Sequence, residues 1–276
     1  DDSGEVDAAV IDDPVEVDAA VIDDPVEVDA AGGSSARSPR DLPRDGPGLD
    51  DLSTAGLLVN VAASQGVFLG LLAVAVWYAG VPPSALGLAP GAEVPALSTS
   101  TATATSPLTA ATSLDLAPAL AVGAAFGVGL YALNEVGAAA GERLGLGSSE
   151  ELRESLAPDS PGGWVVLLGV VLPIIAGFEE LLFRGALVGA LSVGAVQAGL
   201  DLGAATPWLF AVGSSVAFAL GHGAQGRGGV VVTGLLGLTL AGAFVLTWSL
   251  PLVFVAHYLI NALEFVVHEF LGVDWI

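Results

Sequence analysis

The 276-residue chain contains no cysteine and no lysine, and each absence excludes a class of chemistry. Without cysteine there is no disulfide framework, no thiolate zinc site and no cysteine nucleophile. Without lysine there is neither a Schiff-base lysine nor a Walker-type phosphate lysine. All seven basic residues are arginines, set against 30 acidic residues, and the net charge of −23 argues against a nucleic-acid partner.

Charged residues are scarce as well, at 13% of the chain, whereas a soluble domain carries about 25%. Apolar residues make up 53%, and the mean hydropathy is +0.74. Residues 1–51 hold 16 acids and three arginines, while the other 225 residues hold 14 acids and four arginines. The chain is therefore an acidic tail joined to an apolar body. Its acidic, lysine-free composition resembles that of proteins from extreme halophiles, whose acidic surfaces stay hydrated in concentrated salt.

The tail is built from an 11-residue repeat, which is clearest from Val15 to Pro25 and recurs on both sides of that stretch. Eleven residues is also the period of right-handed coiled coils. A proline in each repeat and the dense negative charge argue against a helix here. We therefore expect residues 1–52 to form a disordered acidic tail and residues 53–276 to form a transmembrane domain.

The body contains apolar stretches long enough to cross about 30 Å of hydrocarbon. They cover residues 54–81, 116–138, 164–191, 205–222, 229–248 and 250–272. The pattern predicts an all-α, polytopic transmembrane helical bundle with about six spans, or seven if the third run forms two pieces. The stretch 82–113 is rich in Pro, Ser, Thr and Ala, and is expected to be an exposed loop.

The arginines outside the third span predict the orientation of these spans. With six spans and the tail inside, all six fall on one side of the membrane: Arg37, Arg40, Arg44, Arg143, Arg153 and Arg227. An excess of Arg and Lys marks the cytoplasmic loops of membrane proteins. The sequence therefore predicts a multi-pass protein of the cell membrane with both termini in the cytoplasm.

Three motifs place ionisable or amide groups within the apolar spans, where such groups are costly. In each motif the key residues are four positions apart, which puts them on one face of a helix. The motifs are Glu179-Glu180 with Arg184, Phe218 with His222, and His257 with Asn261. Each motif also has a simpler explanation when it is considered alone. The glutamates with Arg184 could mark a helix end, His222 could be a helix cap, and His257 with Asn261 could form a hydrogen bond between helices. Their occurrence on three apolar helices favours a common site.

These side chains suit hydrolysis of an amide bond by an activated water molecule. A carboxylate beside a histidine is a competent general base, and a second histidine with an asparagine supplies donors to an oxyanion. Since cysteine is absent and no serine has an evident base, water is the expected nucleophile.

The run from Glu179 to Gly185, followed by Phe218-x-x-x-His222 and His257-x-x-x-Asn261, resembles the CPBP family of intramembrane proteases. That family includes the type II CAAX prenyl proteases and the bacteriocin-processing and abortive-infection proteins. The resemblance covers about residues 163–265 and leaves out the tail and the first span.

The resemblance implies that Glu179 acts with His222 on the attacking water. It also implies that Glu180 pairs with Arg184, that His257 and Asn261 stabilise the oxyanion, and that the substrate is a peptide or a membrane protein. The family is often described as metalloproteases, and Glu179, His222 and His257 could ligate a divalent metal such as zinc. A metal-free mechanism based on the glutamate fits the same residues, so no cofactor is assigned.

Four other polar residues lie near predicted span ends. Glu264 and His268 are expected to form an interfacial pair where the last helix leaves the membrane, and Asn134 and Glu135 are expected at the cytoplasmic boundary. Counting from the predicted span ends also places His257 about 15 Å away in depth from the histidine of the fourth span.

Two alternatives to a protease are also compatible with the sequence. One is a membrane scaffold or immunity protein that keeps the fold without catalysis. The other is a proton-coupled transporter, which the lack of an internal repeat in the body disfavours.

Overall fold

The computed structural model describes residues 53–89, 114–143, 150–223 and 226–273. Within these ranges the chain is helical and has no strand, which confirms the predicted all-α class. The acidic tail predicted for residues 1–52 lies outside the described residues.

The described helices are numbered in chain order. The α-helices are α1 (Thr54–Tyr78), α2 (Leu116–Arg143), α3 (Glu150–Leu156), α4 (Pro161–Val166), α5 (Leu172–Glu180), α6 (Leu191–Gln197), α7 (Ala205–Gly221), α8 (Gly226–Thr247) and α9 (Leu250–Glu264). Wider, π-helical turns form π1 (Leu167–Val171), π2 (Leu181–Ala190) and π3 (Phe265–Phe270).

Five helical stretches among the described residues are long and apolar enough to cross a membrane. They are Thr54–Tyr78, Leu116–Ala139, Pro161–Gln197, Gly228–Thr247 and Leu250–Phe270. The fourth predicted span corresponds to α7, which is apolar but has only 17 residues, or about 25 Å. The chain is thus a multi-pass helical membrane protein, as predicted.

The outer face of the bundle is apolar, as a lipid-facing surface must be. On α1 the side chains of Val67, Leu71 and Val74 are at least 60% exposed. Trp77 and Tyr78 are exposed at the end of the same helix. Amphipathic aromatic rings are enriched at membrane–water interfaces, so these two residues fit a position at the membrane surface.

The third apolar run is one uninterrupted helical stretch of 37 residues, from Pro161 to Gln197, rather than two spans. It begins with Ser160 as N-cap, whose Oγ accepts a hydrogen bond from the backbone N–H of Gly163. Along this stretch α5 ends at Glu180, and π2 follows directly. Short π-helical turns are frequent at functional sites, and this one carries Arg184.

Helix α2 packs along α9 through two glycines four residues apart. A Cβ atom on Gly123 would lie 2.5 Å from the carbonyl oxygen of Leu252, and one on Gly127 would lie 2.8 Å from that of Ala256. Small residues at this spacing let the backbones of membrane helices approach closely. Because Ala256 precedes His257, this contact also helps to set the position of that histidine.

We expect Gly127→Ala to lower the thermal stability, because the new methyl group would meet the α9 backbone rather than a movable side chain. Overpacking of this kind costs about 1–3 kcal/mol. The matched control is Gly129→Ala on the same helix, whose Cβ would have no neighbour within 4 Å. Thermal unfolding in detergent should show a lower Tm for Gly127→Ala only. Equal Tm values for the two variants would contradict the close helix contact.

The beginning of the stretch 82–113 folds partly into the bundle, so the prediction of an exposed loop is wrong for residues 85–87. Residues 85–87 are buried. The indole N–H of Trp248 donates to the carbonyl oxygen of Ser84 at 2.8 Å, and the N–H of Leu250 donates to that of Gly87 at 2.9 Å. These two hydrogen bonds tie the segment to the α8–α9 junction. Residues 90–113 lie outside the described residues.

Candidate active site

The six predicted site residues come from four parts of the bundle. Glu179 and Glu180 end α5, Arg184 lies on π2, His222 caps the C-terminus of α7, and His257 and Asn261 lie on α9. The structure connects five of them through short polar contacts.

Glu180 and Arg184 form a buried ion pair at the centre of this group. Arg184 Nη1 donates to Glu180 Oε1 at 2.7 Å, and both side chains are 1% exposed. Arg184 Nη2 also donates to the carbonyl oxygen of Gly237 on α8 at 3.0 Å. The guanidinium therefore holds the carboxylate and at the same time ties the third span to α8. A buried charge is tolerated only when it is paired and hydrogen-bonded in this way.

His257 lies between the two carboxylates. Its Nδ1–H donates to Glu180 Oε1 at 2.6 Å, and its Nε2 lies 3.5 Å from Glu179 Oε2. The imidazole is 4% exposed. A carboxylate bound to one ring nitrogen fixes the tautomer and the orientation of the ring. Glu180 therefore aims the opposite nitrogen of His257 at Glu179.

His222 approaches Glu179 from the other side. Its Nδ1–H donates to the carbonyl oxygen of Phe218 at 2.8 Å, and its Nε2 lies 3.9 Å from Glu179 Oε1. The side chain of His222 is 25% exposed and that of Glu179 is 13% exposed. Glu179 is thus the carboxylate that faces both imidazoles, on the side of the site nearer to solvent.

The depth offset expected between His222 and His257 is not observed, because both rings reach the same carboxylate. The expectation assumed that each helix crosses the full membrane. With 17 residues, α7 is at the lower limit of length for a crossing, so His222 at its end need not lie at the membrane surface.

Phe218 is the packing centre of the site, a role that its place in the motif did not reveal. The ring is 1% exposed and lies 4.6 Å from the ring of His222 and 6.1 Å from that of His257. The guanidinium carbon of Arg184 lies 4.8 Å from the Phe218 ring centroid. A Cβ atom on Gly237 would lie 2.9 Å from this ring, so α8 needs glycine there. In the sequence, the position of Phe218 four residues before His222 was the feature that could have indicated this role.

Asn261 lies one turn beyond His257 on α9 and is partly buried. Among the described residues, no hydrogen bond joins its side chain to Glu179, His222 or His257. The structure therefore places Asn261 on the expected helix but does not bring it into the polar chain formed by the other five residues.

A cavity of about 300 Å³ borders Glu180, and its other walls are apolar. They come from Leu88, Gly177, Leu181, Leu250, Pro251 and Phe254. Glu180 Oε2 is buried and has no hydrogen-bond partner among the described residues. Leu88 belongs to the segment after α1 that was predicted to be an exposed loop, so the sequence did not predict that this residue lines the cavity.

The three residues named as metal candidates face one another, but the carboxylate lies between the two rings. Oε1 of Glu179 faces His222 and Oε2 faces His257, at 3.9 and 3.5 Å. Both Nδ1 atoms are engaged with oxygen acceptors, so both Nε2 atoms point inward. This donor set is chemically suitable for zinc, and it is equally suited to a carboxylate that acts as a base.

The fold and this site define a class of protein: a helical membrane protein with a carboxylate–histidine centre inside the bundle. Residues 161–263 match the family model described as "Type II CAAX prenyl endopeptidase Rce1-like". The matched stretch contains all six site residues, and it supports peptidase activity at the level of the family. No curated protein and no solved structure matches the chain.

Proposed function

We propose that this protein is an intramembrane endopeptidase that hydrolyses a peptide bond with an activated water molecule. The observation that carries the proposal is the placement of Glu179 within 4 Å of two imidazole Nε2 atoms. The similarity of residues 161–263 to a family of proteases supports the same activity.

Glu179 is the general base in this proposal, and His222 assists it. A water molecule held between the Glu179 carboxylate and His222 Nε2 would lose its proton to the glutamate as it attacks the carbonyl carbon. The 3.9 Å separation of the two groups is suited to a bridging water. The proton then passes to the leaving amine, so that the base returns to its starting state.

His257 stabilises the oxyanion of the tetrahedral intermediate through its Nε2–H. When Nδ1–H donates to Glu180, a second donor at Nε2 requires the imidazolium form, which the adjacent Glu180 carboxylate stabilises. Asn261 is proposed as a further donor that reaches the oxyanion when the substrate is bound. Glu180 and Arg184 are positioning residues, since they act through His257.

The substrate class is a peptide or membrane protein that enters from the lipid or from the cytoplasmic side. The apolar surroundings of the site suit a membrane-associated chain. The arginine distribution supports a cytoplasmic location for both termini, and residues 163–265 form the proposed catalytic core. The metal-free form of the mechanism is preferred, because the Glu179 carboxylate itself occupies the space between the two imidazoles.

Cleavage of membrane peptides in proteoliposomes tests the proposal. We expect His222→Ala to reduce the rate about 10²–10⁴-fold, because positioned acid–base groups contribute that much. Thr239→Ala is the control, since this exposed hydroxyl donates to the carbonyl oxygen of Leu235 in its own helix. Products are identified by mass spectrometry, and Tm is measured for each variant.

Unchanged cleavage by a folded His222→Ala protein would contradict the assigned role. Absence of cleavage by the wild-type protein across a broad set of membrane peptides would instead favour the scaffold. Proton-coupled flux of a solute without cleavage would favour the transporter.

A further inference from the structure

A second polar cluster, separate from the candidate active site, joins the ends of α2 and α9. It contains Asn134 and Glu135 on α2, Arg153 on α3, Glu264 at the end of α9, and His268 and Glu269 on π3. Glu264 and His268 lie 3.8 Å apart, as an i,i+4 pair. They form the expected pair, and each also contacts a residue of α2.

The contacts in this cluster are short and cross between helices. His268 Nε2 lies 2.9 Å from Glu135 Oε1, and Asn134 Nδ2 donates to Glu264 Oε1 at 2.6 Å. Arg153 donates to Glu264 Oε2 at 3.3 Å and to Glu269 Oε1 at 2.7 Å. The cluster therefore connects α2, α3 and the last helix.

Three of these residues form a set of metal-ligand atoms. One carboxylate oxygen each from Glu135 and Glu264 and one nitrogen of His268 all lie within 4.8 Å of one another. Their side chains are 12–18% exposed, so the set is only partly buried. A nitrogen donor combined with two carboxylates is typical of sites for manganese or zinc.

The charge balance of the cluster also favours a cation. Three carboxylates, those of Glu135, Glu264 and Glu269, each lie within 4 Å of a nitrogen of Arg153 or His268. Partly buried like charges repel one another more strongly than exposed ones, and a divalent ion would remove this repulsion.

Glu264 is held as a ligating carboxylate would be. The Asn134 amide binds its Oε1, which leaves Oε2 on the side of His268. Hydrogen bonds of this kind orient metal-ligating carboxylates in known sites. Arg153 approaches the same Oε2 atom, so the guanidinium would compete with a cation there.

We propose that Glu135, Glu264 and His268 bind a divalent cation such as Mn²⁺ or Zn²⁺, which fastens α2 to the end of the last span. On binding, the His268 ring carries its proton on Nδ1, so that Nε2 can ligate the ion. Water completes the coordination. The site is distinct from the proposed catalytic centre and does not depend on peptidase activity.

The test is the thermal unfolding of the full-length protein in detergent, with MnCl₂ as the probe. We expect Mn²⁺ to raise the Tm of the wild-type protein, since a ligand that binds only the folded state stabilises it. In Glu264→Gln the apparent Kd for Mn²⁺ should rise at least about tenfold, because a charged ligand is lost. In Arg153→Gln it should fall about tenfold or more, because a competing charge is removed.

Control variants separate this site from other carboxylates. Glu154→Gln removes an exposed acid next to Arg153 and should leave the Mn²⁺ response unchanged. His222→Ala should leave it unchanged as well, which separates this site from the candidate active site.

Three outcomes would overturn the proposal. The first is a wild-type Tm that does not respond to Mn²⁺. The second is an Mn²⁺ response that persists in Glu264→Gln, which would point to the acidic tail. The third is an Arg153→Gln variant whose Tm falls and is not restored by Mn²⁺, which would show that the cluster is an ion-pair network only.

Discussion

Glu179→Gln is expected to abolish peptide cleavage, with a loss of about 10³-fold or more, while the protein stays folded. The substitution keeps the shape of the side chain and removes both its charge and its ability to accept the proton of water. Glu179 faces the Nε2 atoms of His222 and His257, and it makes no ion pair with Arg184 in the structure. The loss should therefore fall on the rate of cleavage and leave the Tm nearly unchanged.

The measurement is the single-turnover cleavage rate in proteoliposomes. The control is Glu154→Gln, which removes an exposed carboxylate on α3, outside the candidate active site. Glu180→Gln, the same substitution at the adjacent glutamate, tests whether the two glutamates have different roles. Since Glu180 acts through His257, its variant should be impaired but should retain more activity than Glu179→Gln. The reverse order, with Glu180→Gln inactive and Glu179→Gln active, would show that the roles of the two glutamates are exchanged.

The fold could be predicted from the sequence because the lipid selects for long apolar helices. The second predicted span, 116–138, falls within α2, and the fifth, 229–248, overlaps α8 except for its last residue. Hydropathy also gave the length of α7, since the apolar stretch 205–222 is one residue longer than the helix. It could not give the depth of His222 relative to His257, because that depends on how the helices pack.

The members of the candidate site could be found from their spacing, but their contacts could not. Helical periodicity relates Glu180 to Arg184, which are four residues apart. It says nothing about the 2.6 Å contact between Glu180 and His257, which are 77 residues apart. Whether Nδ1 or Nε2 of His257 faces Glu179 also depends on tertiary packing. The types of side chain at the site were therefore predictable, but the order of the polar chain was not.

Close packing was the least predictable feature. Gly123 and Gly127 look like ordinary residues of an apolar helix until α9 is placed beside them. Residues 85–87 belong to a stretch with the composition of a loop, and they are held in the bundle by hydrogen bonds from the Trp248 indole and the Leu250 backbone N–H. Contacts of this kind depend on the three-dimensional arrangement and leave little trace in local sequence.

Arg184→Met should produce the largest loss of stability of any substitution proposed for this site. It removes the guanidinium from Glu180 and leaves a buried carboxylate that still contacts His257 Nδ1. Breaking a buried pair on one side costs about 3–5 kcal/mol, because the remaining charge loses its counter-ion. The bond to the Gly237 carbonyl and the contact with the Phe218 ring are lost too. Thermal unfolding in detergent should show a marked fall in Tm.

A double-mutant cycle separates the ion pair from the other contacts of Arg184. Glu180→Gln in the Arg184→Met background removes the remaining charge, so the double variant should recover at least about half of the lost stability. The remainder reflects the contacts with Gly237 and Phe218, which the second substitution does not restore. If the two losses simply add, the buried pair contributes no coupling energy. Arg184 would then act as a packing residue rather than as the counter-ion that holds Glu180 against His257.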